Sequence, residues 1–409
     1  MLKPTRGRGR PIALVLAAML ALTGTAAAAP EPAPTEPVSL RQQWVLRTLN
    51  AERAWTVTKG AGATVAVIDS GVDDQVAELR GRVIQGPDLR PPMRDGKVRV
   101  GNHGTAMASL IVGSGGEDRI QGIAPEARVL ALPVLNDQPL EGEDAEPELR
   151  RDTGDDNLLA RAIRYAADRQ VDVISMSLGG YGPQSAEREA VSYALSRGVV
   201  LVAAVGNDGN LESSKESGTT FWNFPAGYSG VIGVAAVSRE GASASFSSDN
   251  LSVLVAAPGA GVPVVLPGGG HPAAEGTSPA TALVAGVAAL IKAKYPDLSP
   301  ALVARALTST AKEVPAAGYD DEVGFGVVDA AAALDAAGRL AGRDRTLAVP
   351  EGRHFGAGPA GEAPRPPGPD LLRLWLYAGS TVIGLLIFGA AVMVLTRRAE
   401  QKTGVRPPS

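Results

Sequence analysis

The chain of 409 residues contains no cysteine. Disulfides, thiol nucleophiles and zinc–thiolate sites are therefore excluded, and stability has to come from a large packed core. Aromatic residues make up only 4% of the chain, and 39 basic residues nearly balance 43 acidic ones. No basic surface is on offer, so no nucleic-acid partner is expected. Small residues are what is abundant, with 49 glycines and many alanines, a composition suited to helices lying close on a sheet.

Charge-free apolar runs occur near both ends. Lys3, Arg6, Arg8 and Arg10 precede Ile12 to Leu22, and Ala26 to Ala29 follow. This run is too short to span a bilayer and reads as a secretory signal peptide over 1–29, cleaved near Ala28 or Ala29. A Pro-rich extension is assigned to 30–43, extended over Ala33 to Ser39. At the other end, Leu374 to Leu395 has no charged residue. About 20 such residues suffice to cross a membrane. A transmembrane helix is expected over 371–396, with Trp375 and Tyr377 at its interface. Arg397, Arg398, Lys402 and Arg406 follow and assign 397–409 to the cytoplasm, because basic residues flanking a span stay inside. Localisation follows: a single-pass cell-membrane protein with its body outside. Between body and span, 341–370 is rich in Pro and Gly and reads as a stalk.

The body, 44–340, alternates β-branched runs with helical patterns. Gln42 to Leu46 and Ala51 to Trp55 form a helical lead-in. Strands are expected at Thr64–Ile68, Arg128–Val134, Val171–Met176, Val199–Ala203, Val231–Val237 and Ser252–Ala257. Helices are expected at Asn157–Arg169, Ser185–Arg197, from Gly276 to about Lys294, and after Ser299-Pro300. The fold class is α/β: three layers, a mostly parallel sheet with helices on both faces. An insertion at 136–156 carries nine carboxylates and little apolar content, and reads as a solvated loop. Calcium is compatible with that number of carboxylates, but the ordered D-x-[DN]-x-[DN]-G spacing is missing.

Three residues stand at strand ends or helix starts. Asp69 ends a strand in Ile68-Asp69-Ser70-Gly71. His103 lies in the first turn of a helix beginning Asn102-His103-Gly104-Thr105. Ser278 opens a helix in Gly276-Thr277-Ser278-Pro279, where unpaired N–H groups favour nearby negative charge. Acyl transfer by serine needs a base, a carboxylate that orients the base, and donors for the oxyanion. Asn207, in a glycine-flanked loop after a strand, supplies a candidate donor. His271 reads as a loop residue, and His354 lies in the stalk.

At these positions the chain resembles the subtilisin-like serine proteases, the subtilases of peptidase family S8. Val67–Gly71, His103–Thr105 with Gly122–Pro125, Ala203–Asn207, and Gly276–Ser278 with Val284–Gly286 are similar to that family's four motifs, in the same order. The resemblance implies a serine endopeptidase: Ser278 as nucleophile, His103 as general base and acid, Asp69 as orienting carboxylate, and Asn207 with the Ser278 N–H as oxyanion hole. It implies that Ser177, Leu178 and Gly179 pair with a protein or peptide substrate, that Ala203, Ala204 and Val205 border a side-chain pocket, and that no cofactor is required. Ala282 stands where the family usually has proline, and a proline sits instead at Pro279. The signal peptide, short lead-in, stalk and single span resemble the mycosins, membrane-anchored subtilases of type VII secretion systems, many of which carry cysteine pairs absent here. A type VII secretion membrane complex is the implied partner. A surface subtilase unrelated to secretion, and a protease-fold scaffold within a secretion complex, are the alternatives.

Overall fold

In a sheet covered on both faces, strands read as continuous apolar runs rather than alternating ones. The computed structural model, which describes residues 36–90, 101–137, 157–341 and 371–402, follows that rule. The segments read from the sequence as signal peptide, stalk beyond Ala341 and acidic loop beyond Asp137 lie outside the described residues. In chain order, α1 (Val38–Thr48) and α2 (Ala51–Trp55) precede β1 (Thr64–Asp69), β2 (Val83–Gln85), α3 (Asn102–Val112) and β3 (Arg128–Pro133). Then come α4 (Leu158–Asp168), β4 (Val173–Met176), β5 (Gly180–Tyr181), α5 (Ser185–Ser196), β6 (Val200–Ala204), α6 (Glu212–Ser217) and β7 (Asn223–Phe224). The first unit closes with β8 (Val231–Val237), β9 (Val253–Pro258), β10 (Val262–Pro263), β11 (Ala273–Ala274), α7 (Thr277–Lys294), α8 (Pro300–Thr308) and α9 (Ala330–Ala341). A second unit contains α10 (Leu371–Lys402).

Seven strands form one parallel sheet in the order β2-β3-β1-β4-β6-β8-β9. From β1 the chain crosses to the edge strand β2 and returns inward to β3, then passes to the other side of β1 and builds outward through β4, β6, β8 and β9. Strand order thus reverses at β1/β4, and open α/β sheets place their sites beyond the carboxyl ends of the strands at such a point. Side chains of β1 alternate between two cores. Val65 and Val67 join the cluster that holds Leu110 of α3, Leu283 of α7 and Leu334 of α9. Ala66 and Ile68 join the one that holds Leu159 and Ile163 of α4 and Val191 of α5. This is a three-layer subtilisin-like fold.

Helix α7 runs through the first of these cores, and every residue from Thr277 to Lys292 is buried. Its small residues permit that depth: a Cβ on Gly286 would fall 2.7 Å from the Ile123 Cβ. One expectation needs correction. α1 begins at Val38 rather than Gln42, so the extended reading of Val38 and Ser39 fails; Val38 and Gln42 are buried and draw the segment into a helix. Pro279 sits in the first turn of α7, where an N–H would have no intrahelical acceptor and its absence costs no helix bond. The short strands β2, β5, β7, β10 and β11 carry too little pattern to be visible in the sequence.

Candidate active site

Asp69 ends β1 and is 1% exposed. The Ser70 N–H donates to its Oδ1 at 2.7 Å. His103 meets the same carboxylate through Nδ1, 2.8 Å from Oδ1 and 2.9 Å from Oδ2. With Nδ1–H facing the carboxylate, the lone pair falls on Nε2. The close approach depends on glycine. A Cβ on either Gly101 or Gly104, which flank His103, would fall 2.2 Å from the Gly71 carbonyl oxygen. Gly104 N–H also donates to Ser70 Oγ at 3.1 Å. Helix α3 is therefore laid directly on the loop that follows Asp69.

The N-terminus of α3 has a cap that the sequence did not reveal. Asp137 accepts from Asn102 N–H at 2.8 Å and from His103 N–H at 3.3 Å. In the sequence Asp137 is one of nine acidic residues in the insertion; only tertiary structure singles it out. An acceptor there satisfies orphan donors and complements the positive end of the helix dipole.

Ser278 occupies the second position of α7 and is 7% exposed. Its Oγ donates to the Ser177 carbonyl at 3.3 Å, while Ser177 Oγ donates to the Ser278 carbonyl at 3.0 Å. The helix cap comes from 70 residues away: Asn207 Oδ1 accepts from Thr277 N–H at 2.8 Å and from Thr277 Oγ1 at 3.2 Å. Using Oδ1 this way turns the Asn207 amide donor, Nδ2, away from the cap. Gly276 has φ 133°, and a Cβ there would lie 3.2 Å from Asn207 Nδ2, crowding it. The glycine before Thr277 thus serves both the turn and the amide.

The structure brings Asp69 onto His103, Asn207 onto the first turn of α7, and Ser177 onto Ser278. α3 and α7, which carry His103 and Ser278, pack against each other. Gly179 and Ala204 also lie at the carboxyl ends of β4 and β6. Leu178, Ala203 and Val205 turn their side chains into the core shared with α4 and α5, so what they can offer a peptide is main chain. His271 stands apart, with Nε2 2.7 Å from Glu78 Oε1. Among the described residues there is no cluster of three or more metal-ligating side chains.

The Subtilase family model matches residues 60–326. Thermitase of Thermoactinomyces vulgaris is 34% identical over 287 residues, covering 70% of this chain and 94% of that protein. Subtilisin E of Bacillus subtilis is 37% identical over 254 residues, covering 62% of this chain and 61% of that protein. Among solved structures, the MycP3 protease from the type VII (ESX-3) secretion system is 32% identical with a TM-score of 0.59, covering 71% of this chain and 87% of that one. MycP1 from Mycobacterium smegmatis is 27% identical with a TM-score of 0.57, over 79% and 89%. By family match, sequence identity and fold, the chain belongs to the subtilases, which are serine endopeptidases.

Proposed function

We propose that this chain hydrolyses peptide bonds by an Asp69–His103–Ser278 triad, from the outer face of a membrane and in association with a type VII secretion system. The observation that carries the catalytic part is the buried Asp69 carboxylate holding His103 Nδ1 through both oxygens. In this reading Ser278 Oγ exchanges the Ser177 carbonyl for His103 Nε2, loses its proton to the imidazole and attacks the scissile carbonyl. Asp69 stabilises the imidazolium without taking the proton. The oxyanion is met by Asn207 Nδ2 and the Ser278 N–H at the head of α7, donors fixed before the charge forms. His103 then protonates the leaving amine. The acyl-enzyme on Ser278 is hydrolysed by the same steps run with water. The chemistry uses these groups alone and calls on no cofactor; a calcium ion at the acidic insertion would be structural.

Substrate would be a protein or peptide lying extended beside Ser177–Gly179, pairing main chain to main chain as an added strand. The link to secretion rests on the likeness to MycP3 and MycP1 together with α10. That helix carries a 22-residue apolar stretch, Leu374–Leu395, long enough to cross a bilayer. Arg397 and the basic residues after it would keep the C-terminus cytoplasmic and the catalytic unit outside. Labelling by a fluorophosphonate tests the chemistry: wild type should be labelled and Ser278→Ala should not. Full-length protein should sediment with membranes. A strain lacking it should regain export of type VII substrates only from a copy that retains α10; rescue by a soluble copy would show that the span is only a tether.

A further inference from the structure

Helix α3 carries His103 but has nothing of its own to hold its first turn. Its N-cap, Gly101, has no side chain, and the turn contains no acidic residue. The N–H groups that a helix leaves unpaired at this end are met from elsewhere. Gly104 donates to Ser70 Oγ at 3.1 Å, while Asn102 and His103 both donate to Asp137, at 2.8 and 3.3 Å. Of these two acceptors only Asp137 brings charge. It follows closely on Val134 and Leu135, whose N–H groups donate to the Asp69 carbonyl at 2.8 and 3.3 Å. The segment carrying Asp137 is thus tied to the residue that grips the His103 ring.

We propose that Asp137 is a positioning residue for catalysis: through the first turn of α3 it holds His103 and compensates the positive charge that the imidazole acquires. This rests on the triad reading above. A histidine at a helix N-terminus lies at the positive end of the helix dipole, which opposes the imidazolium. The reaction passes through that imidazolium in both acylation and deacylation. Asp69 answers from the ring side and Asp137 from the backbone side. The elements packed around His103 offer little other charge. α3 has no further ionisable residue, and β1 contributes only Asp69. Arg128 lies at the opposite end of β3, and α7 has no charged residue before Lys292. In the loop after β1, Asp73 accepts from the Gln75 N–H at 2.9 Å. Arg90 donates to the Ser70 carbonyl at 2.8 Å, but its guanidinium is paired with Asp88 at 2.5 Å. Among the described residues, Asp137 is the carboxylate placed to offset the dipole.

The test is the rate of fluorophosphonate labelling against pH on full-length protein, with kcat/KM for a peptide as a second readout. The acid limb of both profiles reports the loss of neutral His103 in the free enzyme. Asp137→Asn keeps an oxygen acceptor at the cap and removes the charge. Its acid limb should move about half a pH unit lower, the scale of a charge–dipole interaction. Its plateau rate should fall several-fold. Asp137→Ala should show the same shift together with a lower melting temperature, because the acceptor is lost as well. If Asp137→Asn does not fold, Asp137→Ser, a good cap without charge, takes its place. A folded, uncharged variant whose acid limb stays at the wild-type position overturns the proposal, even where its melting temperature falls, since a purely structural cap gives that result. Wild type that neither takes the label nor cuts any peptide overturns the triad reading instead, and this one with it.

Discussion

α7 and α10 are both apolar helices that end in cations, yet the protein treats them in opposite ways. α7 is buried from Thr277 to Lys292. It is rich in Ala, with a single Gly, and lies between a sheet and other helices; a helix apolar on every side needs such surroundings. Leu283, Val284, Leu290 and Ile291 are fully covered, each contributing about 1.5–3 kcal/mol by leaving water. α10 carries large side chains that the protein leaves uncovered: Trp375 is 73% exposed and Phe388 69%. A Cβ on Gly379, Gly384 or Gly389 would meet nothing within 4 Å, whereas one on Gly286 collides with Ile123. The apolar stretch of α10 spans about 33 Å, enough for a bilayer core, whereas α7 in full reaches only about 27 Å. Apolar character alone does not say what a helix is for. Side-chain size and burial separate the two: small residues let α7 pack deep against protein, whereas the large side chains of α10 are left exposed.

The sharpest way to break the comparison is to remove one function from each helix. Ser278→Ala at the head of α7 is expected to lower kcat by about 10⁶-fold, a size measured for subtilisin rather than one derived from this geometry, with the melting temperature kept. Ending the chain after Pro369 removes α10 and should leave turnover of a short peptide intact while moving the protein from the membrane fraction to the soluble one. Loss of peptidase activity in the truncated form, measured on purified protein, would show that α10 supports the catalytic unit.

Asn207 separates two roles within α7's own site. Asn207→Asp keeps an acceptor for the Thr277 N–H but loses the Nδ2 donor. kcat should fall about 10²–10³-fold, the loss known for an oxyanion donor in subtilisin, while thermal stability changes little. Asn207→Ala should lose the cap as well, costing about 1 kcal/mol more in unfolding experiments. Equal activity in wild type and Asn207→Asp would remove Asn207 from the oxyanion hole.

A matched pair of glycine substitutions asks the same question of packing. Gly286→Ala forces a Cβ against Ile123 and should cost about 1–3 kcal/mol, seen as a melting temperature lower by several degrees. Gly384→Ala meets open space and should leave the melting of the catalytic unit unchanged. If both are silent, the packing of α7 on Ile123 is softer than its spacing implies.

The smallest effect concerns the cations. Lys292 turns inward near the end of α7 and donates to the Pro296 carbonyl and, at 3.2 Å, to that of Leu298. Burial pushes its ammonium below the usual lysine range, partly offset by Asp172 and Asp297. A lysine depressed in the folded state binds fewer protons there than when unfolded. Its charging penalty therefore holds at neutral pH and is relieved as pH rises through the folded value towards about 10.4, the ordinary one. Wild-type stability measured against pH in that alkaline window should rise relative to Lys292→Met, which lacks the group. Parallel curves would show that Lys292 stays charged without cost.

Much was legible in the sequence because the relevant physics is local. Continuous apolar runs identified the strands buried on both faces, and β8 matches its expected limits of Val231–Val237. The helix expected from Asn157 begins there, with Asn157 as its cap, accepting from Ala160 N–H at 3.0 Å. Asp69, His103, Asn207 and Ser278 stood out as candidates because they lie at strand ends and helix starts flanked by glycine, where an α/β chain exposes chemistry. What the sequence could not decide were partners distant along the chain. The cap of α7 comes from Asn207 and that of α3 from Asp137. No periodicity encodes such meetings, because side chains 30 to 100 residues apart meet only once the sheet has fixed the order of its strands.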